Sequence, residues 1–296
     1  MVVSPFDHAI LARSGKQYDY LSGNAFLSEP GYAVAMASDS GTVGDLLRSW
    51  RQRRRFSQLD LAGEAEVSTR HLSFVESGRA SASREMLLRL AEPLAIPPRE
   101  RNRLLLAGGY APLHKEQPLD APDMAAARDA VEALLAAHMP FPALAVDRHW
   151  TLVTANAAAS NLLTGAAPHL LAPPVNILRL SLDPEGLAPR ILNLAEWRHH
   201  LLTRLRAEAN AAGDPVLDAL HAELKALPFA AGRTPPRPPN AVAVPLVLAE
   251  PVTGTPLSFL STTTVFGTAT DVTLAELTLE CFYPADAATR QALLGG

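Results

Sequence analysis

The chain has 296 residues, 48% of them hydrophobic and 19% charged, and a formal net charge of −4. This length favours two or three packed units, and the composition suits globular units with sizeable cores. No run of about 18 apolar residues occurs, which excludes a membrane-spanning helix.

Two local features bear on location. The opening MVVSPFDHAILARSGKQ lacks the charged start, apolar stretch and cleavage site of an export signal. A single cysteine, Cys281, allows no internal disulfide, which predicts a reducing, cytoplasmic setting. Its place in LTLECFYP suits a small buried filler.

In chain order, residues 1–41 mix Gly, Ser, Asp and Asn with no sustained apolar period. They read as an irregular extension with a short helix near His8 to Arg13. From Thr42 the pattern changes. TVGDLLRSWRQRRR places Val43, Leu46, Leu47 and Trp50 on one helical face, with Thr42 as N-cap. Ser57, Ser68 and Ser83 cap three further short helices in SQLDLAGEA, STRHLSFVESG and SREMLLRLAEPL. PRERNRLLLAGGYAP gives a fifth helix, closed by Gly108 and Gly109. Five short capped helices predict an all-α bundle over residues 42–110.

The charge is unevenly spread. Residues 42–110 carry twelve arginines against eight acidic side chains, a net of +4 that leaves −8 for the rest. Arginine is the cation best suited to forked contacts with phosphate and guanine.

HKEQPLDAPD marks a linker over residues 111–122, and a second domain is expected over 123–290. It should open with a long Ala-rich helix from Met124 to His138. Strands at Ala143 to Val146 and Trp150 to Thr154 then flank the turn Asp147-Arg148-His149, and a helix follows near Asn156 to Leu163. ILNLAEWRHHLLTRLRAEANAAG and DPVLDALHAELKALPF are amphipathic helices, and prolines 235–239 form a stiff loop. AVAVPLVLAE, LSFLSTTTVFG and DVTLAELTLECFYP complete the chain as β-rich segments. The expected class is therefore α+β: one antiparallel sheet with helices on one side.

Phe56 to Ala80 carries the most explicit chemistry. Two helices joined by a tight turn need a small residue where they cross, and Ala62 fits. Leu61, Ala65, Val67, Leu72 and Val75 fall at the shared core positions. Thr69, Arg70, Ser73 and Phe74 are then left facing outward, a set suited to base edges and the thymine methyl in a major groove. Gln58, in the first turn of the preceding helix, suits a backbone phosphate beside that helix's unpaired N–H groups.

SQxxLAxxAxVSxxxLSxxExGR resembles the helix-turn-helix of phage-repressor-like, XRE-type transcriptional regulators. Gln58, Ala62, Val67, Ser68, Leu72, Glu76, Gly78 and Arg79 stand where that family has them. The resemblance implies that Gln58, Arg79 and the backbone around Ser77 hold phosphates, while Thr69, Arg70 and Phe74 face bases. The expected DNA-facing set is Gln58, Ser68, Thr69, Arg70, Ser73, Phe74, Ser77 and Arg79. One departure is visible. The turn position, often Gly in the family, is Glu66, and a left-handed backbone there costs about 1 kcal/mol and predicts a slightly reshaped turn.

A longer resemblance covers most of residues 120–290. RERNRLLLAGGYAP, PALAVDRHWTLVTANAAASNLL, LSLDPEGLAPRILNLAEWRHHLL and LSFLSTTTVFGTATDVTLAELTLECFYPAD look like regulators with an MmyB-like ligand-binding domain. This implies a PAS-like fold, which in some relatives holds a fatty-acid-like molecule. A sheet with helices against it leaves a cavity where inward residues fail to fill it. The expected lining is Phe141, Val146, Trp150, Leu152, Trp197, Leu201, Phe259 and Phe266, with Leu144, Leu205 and Val265 beside them. Arg179, Arg190, His199 and His200 are candidates to meet a carboxylate at the mouth.

Motifs for catalysis are missing. Adjacent His199 and His200 diverge by roughly 100° on a helix, and the chain has no Gly-x-Ser-x-Gly elbow, Walker loop or Cys-x-x-Cys. No catalytic residue and no metal ligand is expected, and no cofactor beyond a bound fatty acid or similar apolar ligand. The expected partners are a double-stranded DNA operator, a small apolar effector and a second copy of the chain, with half-sites one helical turn, ~34 Å, apart. Two rivals stay open: a ligand-independent repressor whose second domain is a filled dimerisation module, and a haem or redox sensor using His138, His149, His169, His199 or His200.

Overall fold

The computed structural model describes residues 41–228 and 243–295. The expected helix at His8 to Arg13 and the prolines at 235–239 lie outside the described residues.

The first unit contains α1 (Val43–Arg53), α2 (Gln58–Glu64), α3 (Thr69–Glu76), α4 (Arg84–Ala91) and α5 (Pro98–Ala107). The first four start on short polar side chains, whereas α5 starts on Pro97 and Pro98 without a side-chain cap. Thr42 and Asp45 close a capping box, as do Ser57 and Asp60, while the hydroxyls of Ser68 and Ser83 accept from His71 and Met86 N–H. Leu47, Trp50, Leu61, Leu72, Leu87, Leu90, Leu94 and Leu105 form the core between the helices. A Cβ on Gly44 would stand 2.5 Å from the Glu76 carbonyl oxygen, so only glycine lets α1 cross the end of α3 this closely.

The linker does not hang free. Buried Asn102 accepts from Leu113 and His114 N–H and donates to the His114 carbonyl. The backbone of Lys115 then forms a β-bridge beside Asp271, its carbonyl accepting from Val272 N–H, and Asp271 Oδ2 accepts from Gln117 N–H. The chain after α5 is thereby pinned to the second unit.

That unit begins with α6 (Ala125–Ala137), β1 (Ala143–Val146), β2 (Leu152–Ala155), α7 (Ala157–Leu162) and α8 (Ile177–Leu182). It continues with α9 (Leu194–Ala212), α10 (Pro215–Ala226), β3 (Leu246–Ala249), β4 (Pro256–Val265), α11 (Val272–Glu276), β5 (Thr278–Pro284) and α12 (Ala287–Leu294). The strands make one antiparallel sheet in the order β2-β1-β5-β4-β3.

The structure adds two helices the sequence did not predict, α8 and α12, and differs from the expectation in three further places. First, helices cover both faces of the sheet. Ala143, Ala145 and Leu279 pack against Val131 and Leu135 of α6. Leu144, Val146, Leu248 and Phe259 face the larger core built by α8, α9 and α10. Second, DVTLAE is a helix and not a strand, because Asp271 caps it by accepting from Thr273 and Leu274 N–H. Third, β2 begins at Leu152. Asp147 Oδ1 accepts from both His149 and Thr151 N–H, which holds Trp150 in a left-handed turn at φ 65°.

The two units meet along α9. Its last turn leaves the Asn210 and Ala211 carbonyls without helical partners, and Arg54 at the end of α1 takes both, while the Ala209 oxygen also accepts from Gly213 N–H. Arg53 donates to the Ala209 oxygen at 3.3 Å, and Arg54 donates to those of Asn210 and Ala211 at 3.2 and 3.0 Å. Cations at a helix C-terminus also suit its dipole. Gly213 ends α9 at φ 67°, and a Cβ there would approach the Trp50 ring to 2.7 Å.

Candidate functional site

Three features carry chemistry: the α2–α3 surface, an inner cavity and a second cavity at the domain joint. On the first, Leu61, Ala62, Ala65, Leu72 and Val75 are buried as the spacing predicts, with Val67 half-buried. Arg70 is exposed and stacks on Phe74, its Cζ 5.4 Å from the ring centroid. Phe74 is half-buried beneath it, as are Thr69 and Ser73. Ser68 is the N-cap of α3. The Ser77 hydroxyl donates to the Phe74 carbonyl, and Arg79 is exposed beyond Gly78.

Glu66 occupies the left-handed turn position at φ 53°. Its N–H donates to Gly63 and that of Val67 to Ala62, at 3.2 and 2.9 Å. The expected reshaping is therefore not seen, and the left-handed cost is borne by Glu66.

Behind α3 lies a buried hub. The side chain of Glu76 accepts from Arg51 Nε at 2.7 Å and Nη2 at 2.9 Å, and from Gln58 Nε2 at 2.8 Å. Burial pushes this carboxyl up, but the Arg51 and Gln58 hydrogen bonds outweigh it and hold it below the ordinary range. Arg48 donates to the Glu76 carbonyl, and Arg51 also reaches the Phe56 carbonyl. Gln58, expected to meet phosphate, donates an amide N–H to Glu76.

The inner cavity, of about 80 Å³, lies between the sheet and α7, α8 and α9. Leu144, Leu162, Leu163, Leu178, Leu180, Leu187, Leu246, Leu248 and Phe282 wall it with Trp150, Trp197 and Leu201. Three of the expected lining residues are therefore brought together here. The other five are elsewhere. Phe259 is wholly buried in the core and Leu152 packs at that core's margin. Val146 borders the joint cavity, and Phe141 sits between His138 and Arg290. Phe266 lies on the opposite side of the sheet with Leu274 and Leu277.

Polar groups at the cavity are few: Ser181, His200, Arg204, Ser261 and Glu280. The expected mouth residues behave differently. Arg179 pairs with Glu223 at the surface, Arg190 donates to the carbonyls of Leu162, Thr164 and Ala249, and His199 is exposed. Only His200 reaches the wall. Burial, then nearby Arg204, lowers its pKa, so its ring is neutral at pH 7.

Arg204, Glu208 and Glu280 stood outside the sequence expectation. Yet Arg204 follows Trp197 by seven residues and His200 by four, which puts it on the same helix face. Glu280 is an acid at an inward strand position. Arg204 Nη2 donates to Glu280 Oε1 at 2.7 Å and its Nε to Glu208 Oε1 at 2.9 Å. Its Cζ lies 4.5 Å from the Trp150 ring centroid, and the Trp150 indole donates to Glu208 at 2.8 Å.

Trp150 and Arg204 also border the joint cavity, of about 350 Å³, together with Pro97, Arg99 and Glu100 from the first unit. There Arg99 binds Glu276 and Glu116. Asp214 is held by His149 at 2.8 Å, by Val216 N–H and by Arg148 at 3.4 Å. Burial pushes the Asp214 carboxyl up, but the hydrogen bond and charge of His149, helped by Val216 N–H and Arg148, outweigh it and bring it to about 2. Burial raises the pKa of Glu100 against the pull of Arg103. Of the remaining candidate histidines, His138 lies against the Phe282 carbonyl and His169 is exposed. Among the described residues no helix is long and apolar enough to cross a membrane.

A capped α2–α3 pair with an arginine-bearing outer face, joined to an α+β unit with an apolar cavity, defines a helix-turn-helix protein carrying a sensor domain. Residues 42–104 match the helix-turn-helix domain family. Residues 127–294 match the MmyB-like transcription regulator ligand binding domain, and the chain belongs to that family. It is a ligand-responsive transcription regulator with a DNA-binding unit. A comparison with curated proteins returns no match.

Proposed function

We propose that the chain binds a specific operator through α3 as a homodimer, and that a small, apolar, fatty-acid-like molecule in the inner cavity of its PAS-like domain modulates that binding. The observation that carries this is the cavity itself: leucines and two tryptophans surround it, with few polar groups at the wall. The five-stranded antiparallel sheet beneath it supports the PAS-like assignment.

On α3, Arg70 and Thr69 read bases while Arg79 and Gln58 meet phosphates. Arg70→Ala should lose ~1–3 kcal/mol at one base step and relax specificity there. Gln58→Ala should weaken binding to all sequences alike. Operator titrations at fixed salt, across single-base variants, check both. Native mass spectrometry and organic extraction of purified protein test the ligand. No co-purifying molecule and no thermal shift across a lipid panel would turn the second domain into a dimerisation module.

A further inference from the structure

The charge balance of the inner cavity bears on the head group of its ligand. The wall carries a cation and an anion already paired, Arg204 and Glu280. His200 adds no charge, and Glu208 draws on the same guanidinium from the joint side. An entering carboxylate finds no uncompensated cation, and losing its water is costly without one.

The unfilled hydrogen-bonding positions point the same way. Glu280 Oε1 accepts from Arg204 and from the Thr263 hydroxyl, whereas Glu280 Oε2 accepts nothing among the described residues. Arg204 donates through Nε and Nη2, and Nη1 donates to nothing among them. A group with both a proton to give and a lone pair to offer suits this pair; a carboxylate has no proton to give and repels Oε2.

We propose that the inner cavity selects an apolar molecule with a neutral, donor-and-acceptor head, a hydroxyl or primary amide, and that Glu280 rejects the free carboxylate. This rests on the inner cavity being the ligand site, and it replaces the acid head of a fatty-acid-like molecule while keeping its chain.

The test is calorimetric titration of the full-length protein at pH 8 with 1-butanol, butanamide and butanoate, matched in chain length and small enough for the cavity. The alcohol and amide should bind about tenfold or more tighter than the acid, because a buried site built to hydrogen-bond discriminates strongly against an analogue that leaves it unpaired. Glu280→Gln keeps the shape and leaves Arg204 with a single carboxylate, so butanoate should gain about tenfold and the preference should close or reverse. Butanoate binding the wild type as tightly as butanol overturns the proposal, as does an unchanged preference in Glu280→Gln. Should that variant fail to fold, the wild-type comparison decides alone. Failure of all three probes to bind is a different result: it removes the inner cavity as the ligand site, and this proposal with it.

Discussion

Two arginine–glutamate clusters, one in each unit, are built from the same groups and differ in what surrounds them. At the first, Glu76 receives Arg51 in a two-pronged contact and Gln58 beside it, with Leu72 and Val75 buried on the same helix. At the second, Arg204 is divided between Glu280 and Glu208, and cavities lie on either side of it. Closure makes the first cluster a fastening for α1, α2 and α3. Openness leaves the second with unfilled positions that a small molecule can enter. The role of an ion pair follows from its unsatisfied remainder more than from its charges.

The largest effect should come from breaking the closed cluster. Glu76→Ala strands Arg51, whose side chain is 13% exposed, and such losses cost about 3–5 kcal/mol. Urea unfolding of the full chain should show an early transition. Glu280→Ala should cost less, about 1–3 kcal/mol, because Glu208 remains for Arg204. Equal losses in the two variants would erase the contrast.

Acid should act next, at the joint. The folded pKa of Asp214 lies at about 2, below its ordinary 3.8. Its contribution is therefore present above pH ~4 and lost as pH falls towards 2, on the order of 2 kcal/mol. Asp214→Asn should flatten the acid limb of a stability–pH curve between those values. The smallest effect belongs to Glu66→Gly. Relief of left-handed strain, about 1 kcal/mol, is offset by the freer unfolded chain, ~0.4–1 kcal/mol. Thermal melting should shift upward by a degree or two or stay level.

The α2–α3 surface was legible because its code is local. Caps, crossing residue and outward face all fall between Ser57 and Arg79, within reach of helical periodicity. The cavity was not, because a void is where distant side chains fail to meet. Glu280 and Arg204 stand 76 residues apart, and nothing between them sets their contact. Bulk alone placed Phe259 and Phe266 at the ligand, whereas packing put one in solid core and the other across the sheet. The unbroken burial of Ala143 to Val146 does carry a signal for the two-sided sheet, since strands covered on both faces read as continuous apolar runs.

The length of α9 is constrained from both of its ends. Trp197 and Leu201 near its start border the inner cavity, and the Ala209, Asn210 and Ala211 carbonyls at its end are gripped by Arg53 and Arg54. The two sites share one screw axis, so their phase is set by residue count. A single-residue insertion between Leu205 and Ala209 would turn the terminal carbonyls by about 100° and advance them ~1.5 Å, away from both arginines. An insertion of about seven residues, close to two whole turns, nearly restores the phase, but it lengthens the helix by about 10 Å. The nineteen residues of α9 are thus a gauge length, fixed by the need to face both units at once.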